Sequence, residues 1–392
     1  FPTRRSSDLF GADAVYCGAK QYGLRAQANN FDEKQLEEAV WLAHAAGAQV
    51  NLTLNIFAFD GDLDGMVRTA QRARDIGVDA AIVSDLGAIA RIAREAPGLD
   101  VHVSTQASTT NSESARVYKA LGAKRVVLAR EMTFEQIEAM SASIGDEIEL
   151  ETFIHGAACM SYSGRCMLSS FLNGRSANRG ACSQPCRLTY DLTDGRGRTY
   201  IAGKHLLSVR DLNLSAHIGE LLDAGVTSFK IEGRLKDVGY IKNIVAYYRR
   251  EVDAALAVRP HLRRASAGES IPDFTPDTAK SFTRGESEYF FAGKRPGVAS
   301  FDTPKAVGEY VGRVVRVEKN RFRLDRGGLL AAGDGICFLT DRGFAGTNVN
   351  AADGDCVTPN RMEGIVPGTE VYRNYDHRFN QLLARSRTRR VI

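Results

Sequence analysis

Four of the seven cysteines, Cys159, Cys166, Cys182 and Cys186, fall within 28 positions, with six, fifteen and three residues between them. The run that holds them, ETFIHGAACMSYSGRCMLSSFLNGRSANRGACSQPCR over 151–187, carries Gly156, Gly164, Gly174 and Gly180, which let a loop fold back on itself. The cysteine count is odd and no secretory leader is visible, so a reducing cytoplasm is expected and a disulfide framework is not. Soft-metal ligation is then the leading use for these thiols. Zinc and iron-sulfur both stay open on spacing alone. Zinc favours paired two-residue knuckles, and none is present, which tilts the reading toward a 4Fe-4S cluster held by thiolates of an irregular loop. Such a loop must bring the four sulfurs together.

Other groups that can do chemistry flank this run. Lys230, Glu232 and Arg234 alternate along one strand and its exit, so they project to one side, where charges are costly unless paired or used. Arg165, Arg175, Arg179 and Arg187 interleave with the cysteines and suit bidentate binding of phosphate or carboxylate. A cysteine peptidase would need a thiol with a base in reach, and Cys159 with His155 is the best such pair; no HExxH or GxSxG string supports other hydrolases. The expected catalytic set is His155, Glu151, Lys230 and Glu232, with Arg165, Arg175, Arg179 and Arg234 for substrate. Cys17, at a strand end, is a possible fifth thiol, and Cys337 and Cys356 read as core.

The same run resembles the signature of the collagenase-like peptidase family (a peptidase family U), whose better understood members are prephenate-dependent RNA hydroxylases and oxygen-independent quinone hydroxylation proteins. HLLSVRDL at 205–212, SFKIEGRLKDVGYI at 228–241, FTRG at 282–285 and VYRNYDHRF at 371–379 agree, so the resemblance covers nearly all of the chain beyond Phe10. The last two are similar to the subgroup that acts on large-subunit ribosomal RNA. The resemblance implies a cluster on the four cysteines, prephenate as co-substrate, and 5-hydroxylation of a cytidine in that RNA. Hydroxylation of a transfer-RNA uridine and a collagenase-like peptidase are the alternatives. Ribosomal or transfer RNA would be the partner, with neither DNA nor a membrane.

The elements that must position these residues follow from pattern. At 392 residues two domains are expected; the 44% hydrophobic and 25% charged fractions are ordinary, no apolar run reaches membrane-spanning length, and a net charge of +4 permits an RNA partner without requiring one. Residues 1–9, FPTRRSSDL, look like a translated adapter and are set aside from the fold. From 10 to 260, β-rich runs at 13–17, 49–55, 79–84, 100–106, 125–130, 147–155 and 227–232 alternate with amphipathic helices. With an opening strand lost, they predict a TIM-like (β/α)8 barrel lacking its first strand, with 13–17 at an open seam and the cysteine-rich insertion 156–187 over its mouth. A doubly wound sheet is the rival. A hairpin is expected at 189–203, a linker at 261–280, and a small β-rich domain at 281–392 whose carboxyl end is truncated.

Overall fold

The alternating pattern becomes a mostly parallel sheet in the computed structural model of the chain, which describes residues 9–25, 30–233, 235–265, 268–293, 297–341, 343–388 and 390–391. Strands β1 (Ala14–Gly18), β2 (Gln49–Leu54), β3 (Ala80–Val83), β4 (Asp100–Val103), β5 (Arg125–Val127) and β6 (Glu149–Ala157) pair in chain order, each parallel to the last. β10 (Ser228–Ile231) then adds parallel to β6, so seven parallel strands run in sequence without the reversal a doubly wound sheet requires. Every residue of β3 is buried, as in a sheet covered on both faces.

Helices α1 (Glu33–Ala45), α2 (Asp60–Ile76), α3 (Leu86–Glu95), α4 (Ser112–Ala120), α5 (Phe134–Ile144) and α8 (Val238–Ala257) connect or cover these strands. Their starts are locally encoded. Asp32, Asp85, Asn111, Thr133 and Asp237 each accept a first-turn backbone N–H through the side chain. α2 turns Met66, Val67, Ala70 and Ala73 inward, and Gly77 ends it in a left-handed cap at φ 94°.

The ladder does not close. β1 and β10 face each other across a cavity of about 1110 Å³ lined by both, and no ladder joins them among the described residues. Among the described residues the seven parallel strands thus form an open arc, and closure into the expected (β/α)8 barrel is not seen. Residues 1–8 of the adapter-like segment lie outside the described residues.

Two boundaries differ from the sequence reading. β12 (Glu286–Ser287) pairs with β9 (Asp211–Asn213), which itself pairs antiparallel with β6, and Tyr289 and Phe291 pack in the main core. The cut expected at 281 thus falls inside the main unit, because FTRGESEYFF spends its aromatic residues there. The stretch expected as a linker is tied down: β11 (Glu269–Ser270) pairs with β19 (Arg390–Val391), and Phe274 packs with Phe10, Val245, Ala246, Phe379 and Leu383. Farther on, β13 (Glu309–Val317), β14 (Phe322–Leu324), β15 (Gly335–Thr340), β16 (Gly343–Asp353), β17 (Cys356–Pro359) and β18 (Glu370–Tyr375) form a closed barrel around Phe322, Phe338, Val311 and Val371. The hairpin is β7 (Tyr190–Thr193) with β8 (Thr199–Lys204). Two short helices, α6 (Leu168–Asn173) and α7 (Ile218–Asp223), precede β7 and β10, and α9 (His377–Arg385) follows β18. No helix among the described residues is long and apolar enough to cross a membrane.

Candidate functional site

The chain leaves the sheet at the end of β6 and runs through 158–189 as α6 and three short 3-10 turns, at Tyr162–Gly164, Ala177–Arg179 and Pro185–Arg187. All four cysteines of this loop are free thiols; Cys159, Cys166 and Cys186 are half-buried and Cys182 is exposed. They share one neighbourhood. Burial pushes the Cys159 thiol up, and the charges of Cys166 and Cys182 add to it; burial likewise raises Cys186, which feels Cys159, Cys182 and Cys166. As they stand, no three His, Cys, Asp or Glu side chains among the described residues form a group that could hold a metal ion.

Backbone amides point at two of the sulfurs. Leu168 N lies 3.4 Å from Cys166 Sγ and Gln184 N 3.4 Å from Cys182 Sγ, the N–H···S contacts that suit a thiolate ligand. These two contacts are what the loop, as it stands, offers toward thiolate ligation.

The loop is pinned by buried polar side chains. Asn178 grips Cys166 at both ends: Cys166 N donates to Oδ1 at 3.0 Å, and Nδ2 donates to Cys166 O at 3.1 Å. Ser163, fully buried at φ 42°, donates from both N and Oγ to the Glu131 carboxylate at 2.6 Å each, which compensates an unfavourable backbone conformation. Tyr289 OH donates to Cys159 O at 3.1 Å. Arg187 donates to Ser208 Oγ, Val209 O and Ala158 O, a structural role.

The other sequence-predicted residues divide into two groups. His155 and Glu232 meet at the carboxyl end of the sheet, where Glu232 N donates to His155 O at 2.9 Å. Gly156 beside them is at φ 105°, and a Cβ there would stand 2.5 Å from Glu232 O, so only glycine permits this approach. His155 is buried, its Nδ1 lies 3.2 Å from Tyr248 OH, and burial with the Lys236 charge pushes it down to about 3. It is neutral and makes no hydrogen bond with Cys159 among the described residues, so the pair is not an activated dyad. Glu151 and Lys230 are joined elsewhere. Glu151 is the third residue of β6, not a strand-end residue, and pairs with Lys230 at 2.8 Å and Arg125 at 3.2 Å. Burial would raise its carboxyl, but those two cations outweigh it and hold it at about 2.

Of the arginines, Arg165 donates to Gln106 O at 3.0 Å, and Arg179 makes a fork on Asp62 at 2.7 and 3.1 Å. The Arg175 guanidinium has no recorded partner among the described residues, and Arg234 lies outside them. Cys17 is buried in the main core; Cys337 is buried, whereas Cys356 is half-buried.

Sequence reasoning passed over Lys236, Tyr289 and buried Asp211 with its partner Arg284, 2.9 Å apart. Lys236 sits with its ammonium 3.3 Å from the Phe282 ring centroid, and burial lowers it to about 8. Its only local signal is its place in LKDVGY after a strand; its burial comes from residues far along the chain.

Comparison with known proteins gives one family, described as peptidase family U32, matched over residues 9–299. A protein of Escherichia coli named 23S rRNA 5-hydroxycytidine C2501 synthase is 41% identical over 99% of this chain and 60% of its own length. A tRNA hydroxylation protein P1 of Bacillus subtilis is 41% identical over 71% of this chain and 68% of its own. A collagenase of Porphyromonas gingivalis is 33% identical over 73% of this chain and 70% of its own. The chain thus spans three fifths of the length of the first of these.

Proposed function

The chain belongs to peptidase family U32, and from that premise we propose that it is a cytoplasmic RNA base hydroxylase that supports prephenate-dependent 5-hydroxylation of a cytidine in large-subunit ribosomal RNA. The observation that carries this is identity of 41% along 99% of the chain with a protein named for that modification. Cys159, Cys166, Cys182 and Cys186 would hold a 4Fe-4S cluster, which supplies the electron chemistry that side chains lack. A single zinc ion needs four sulfurs about 3.8 Å apart for tetrahedral bonds of ~2.3 Å, whereas a cluster accepts wider spacing. The lack of a two-residue knuckle among the four cysteines favours the cluster.

In this reading Asn178 and Glu131 set the thiols, and neutral His155 with Glu232 lines the floor beside them. Arg165, Arg175, Arg179 and Arg234 bind RNA phosphates, and Lys236 with its neighbours receives the anionic co-substrate. Glu151 and Lys230 act structurally, as a paired charge beneath the mouth, rather than as acid and base. The parallel arc is the greater part of a (β/α)8 barrel and forms one domain, which includes the stretch with Tyr289 and Phe291. The closed β-barrel after it grips the RNA.

Transfer-RNA hydroxylation is the second reading, supported by the Bacillus subtilis relative. Against a peptidase stands the missing contact between His155 and Cys159. The test is anaerobic purification with iron and sulfide quantitation, followed by mass spectrometry of ribosomal RNA from cells that depend on this protein. Expected are about four irons and four sulfides per chain, loss of brown absorbance in Cys182→Ser, and hydroxycytidine only with the intact protein. Gelatin cleavage by iron-free protein would instead establish the peptidase.

A further inference from the structure

Around the cysteine loop the chain exposes side chains that a folded surface rarely leaves open together. Phe171 is 86% exposed, Phe59 and Met167 are 67%, and Phe57 is 37%. They form one surface. Phe57 N donates to Asn178 O at 2.9 Å, Asn178 Nδ2 lies 3.4 Å from Met167 Sδ, and α6, which bears Phe171, packs on the turn at 177–179.

Guanidinium groups alternate with these rings. The Arg179 guanidinium carbon lies 4.9 Å from the Phe59 centroid and that of Arg165 5.9 Å from the Phe57 centroid, while Arg175 has no partner recorded among the described residues. The nearby acids are largely spent: Asp62 is bound by Arg179 at 2.7 Å and Asp64 by Arg91 at 2.7 Å, leaving Asp60.

We propose that this surface is a stacking platform for an unpaired RNA strand, with Phe59 and Phe171 each carrying a base and Arg165, Arg175 and Arg179 lying along the backbone. This deepens, and rests on, the RNA-modifying reading. A base inside an A-form duplex cannot reach a reacting group, so the strand must arrive unstacked and find replacement stacking on the protein. An exposed ring accepts the face of any base, and an arginine beside it meets the phosphate on either side. The alternation also argues against a protein partner, whose contact core would be depleted of charge. The platform borders the thiol loop through Asn178, so a strand held on it passes the cysteines.

The test is fluorescence anisotropy of the full chain with a short ribo-oligonucleotide bearing 2-aminopurine, presented unpaired or as a duplex, alongside Phe59→Ala, Phe171→Ala and Phe171→Tyr. Both rings are exposed, so circular dichroism should show all variants folded. Expected are tighter binding of the unpaired strand with quenched 2-aminopurine emission, about tenfold weaker binding with recovered emission in each alanine variant, and retention in the tyrosine variant. Alanine variants that bind and quench as the parent does would overturn the platform and leave the RNA reading standing. Equal binding of duplex and single strand would do the same. Failure to bind either RNA, with binding of gelatin peptides at the same surface, would overturn both.

Discussion

His102 and His155 are buried in settings that keep them uncharged. Burial, then the Arg125 charge, pushes His102 down to about 4, and burial with Lys236 takes His155 to about 3. Both values lie below the roughly 6.5 of an unfolded histidine. The unfolded chain therefore binds protons that the folded chain refuses: their contribution to stability is complete above about 6.5 and is lost as pH falls toward 4 and 3. At about 1.4 kcal/mol per unit the loss is on the order of 3 kcal/mol for His102 and on the order of 5 kcal/mol for His155. Urea midpoints should fall between pH 7 and 5, and His102→Gln should flatten that slope; an unchanged slope would refute the assignment. Glu151 acts lower on the same limb, since its ion pairs are intact above 4.5 and lost as pH falls through about 2. Lys236 sits on the alkaline side. Lowered to about 8 by burial, it loses its charge above that pH, so KM for an anionic co-substrate should rise there, and Lys236→Met should raise KM several-fold and remove the pH dependence. A KM that stays flat across pH 7 to 9 would exclude it from binding. That Cys159, Cys166, Cys182 and Cys186 belong to one loop was legible, because their spacing alone groups them. The partner of Glu151 was not, since alternation tells which side Lys230 faces but not what stands opposite.

At the scale of elements, period and punctuation carried most of the arc. The glycines in AAGAQV, DIGVDA, ALGAKR and DAGVTS all adopt positive φ, at 66, 94, 99 and 83°. What escaped was short: α6, α7, β9 and β12 span six, six, three and two residues, too few to show a period, and tertiary contacts hold them. The turn Ala177–Arg179 belongs with them. It is a strap whose Asn178 holds Cys166 while Arg179 is anchored to Asp62 and Phe57 O. Asn178→Ala should therefore leave both polar groups of Cys166 without protein partners, at a cost of about 1–3 kcal/mol. Iron occupancy should drop while the strand core keeps its hydrogen-exchange protection. Full iron loading in Asn178→Ala would show that the strap does not set the thiol.

At the scale of the whole molecule, the carboxyl-terminal segment returns to the first strand, a pairing no local pattern announces. Arg390 donates to Ala12 O at 2.6 Å and pairs with Asp13 at 3.3 Å, and Lys242 Nζ donates to Leu383 O at 2.7 Å. Phe379 and Leu383 of α9 close the small core around Phe10. This matters because β1 has β2 as its only ladder partner among the described residues and the large cavity on its other side. A strand with one partner is the weak edge of the sheet, and opens first unless something outside the sheet holds it. Leu383→Ala should cost about 2–5 kcal/mol by leaving a cavity in that core. If the tail is what holds β1, amides of Ala14–Gly18 should then exchange faster by a larger factor than those of Ala80–Val83, whose strand is paired on both sides. Equal acceleration of both strands would mean that the tail adds stability to the fold as a unit and has no special hold on its first strand.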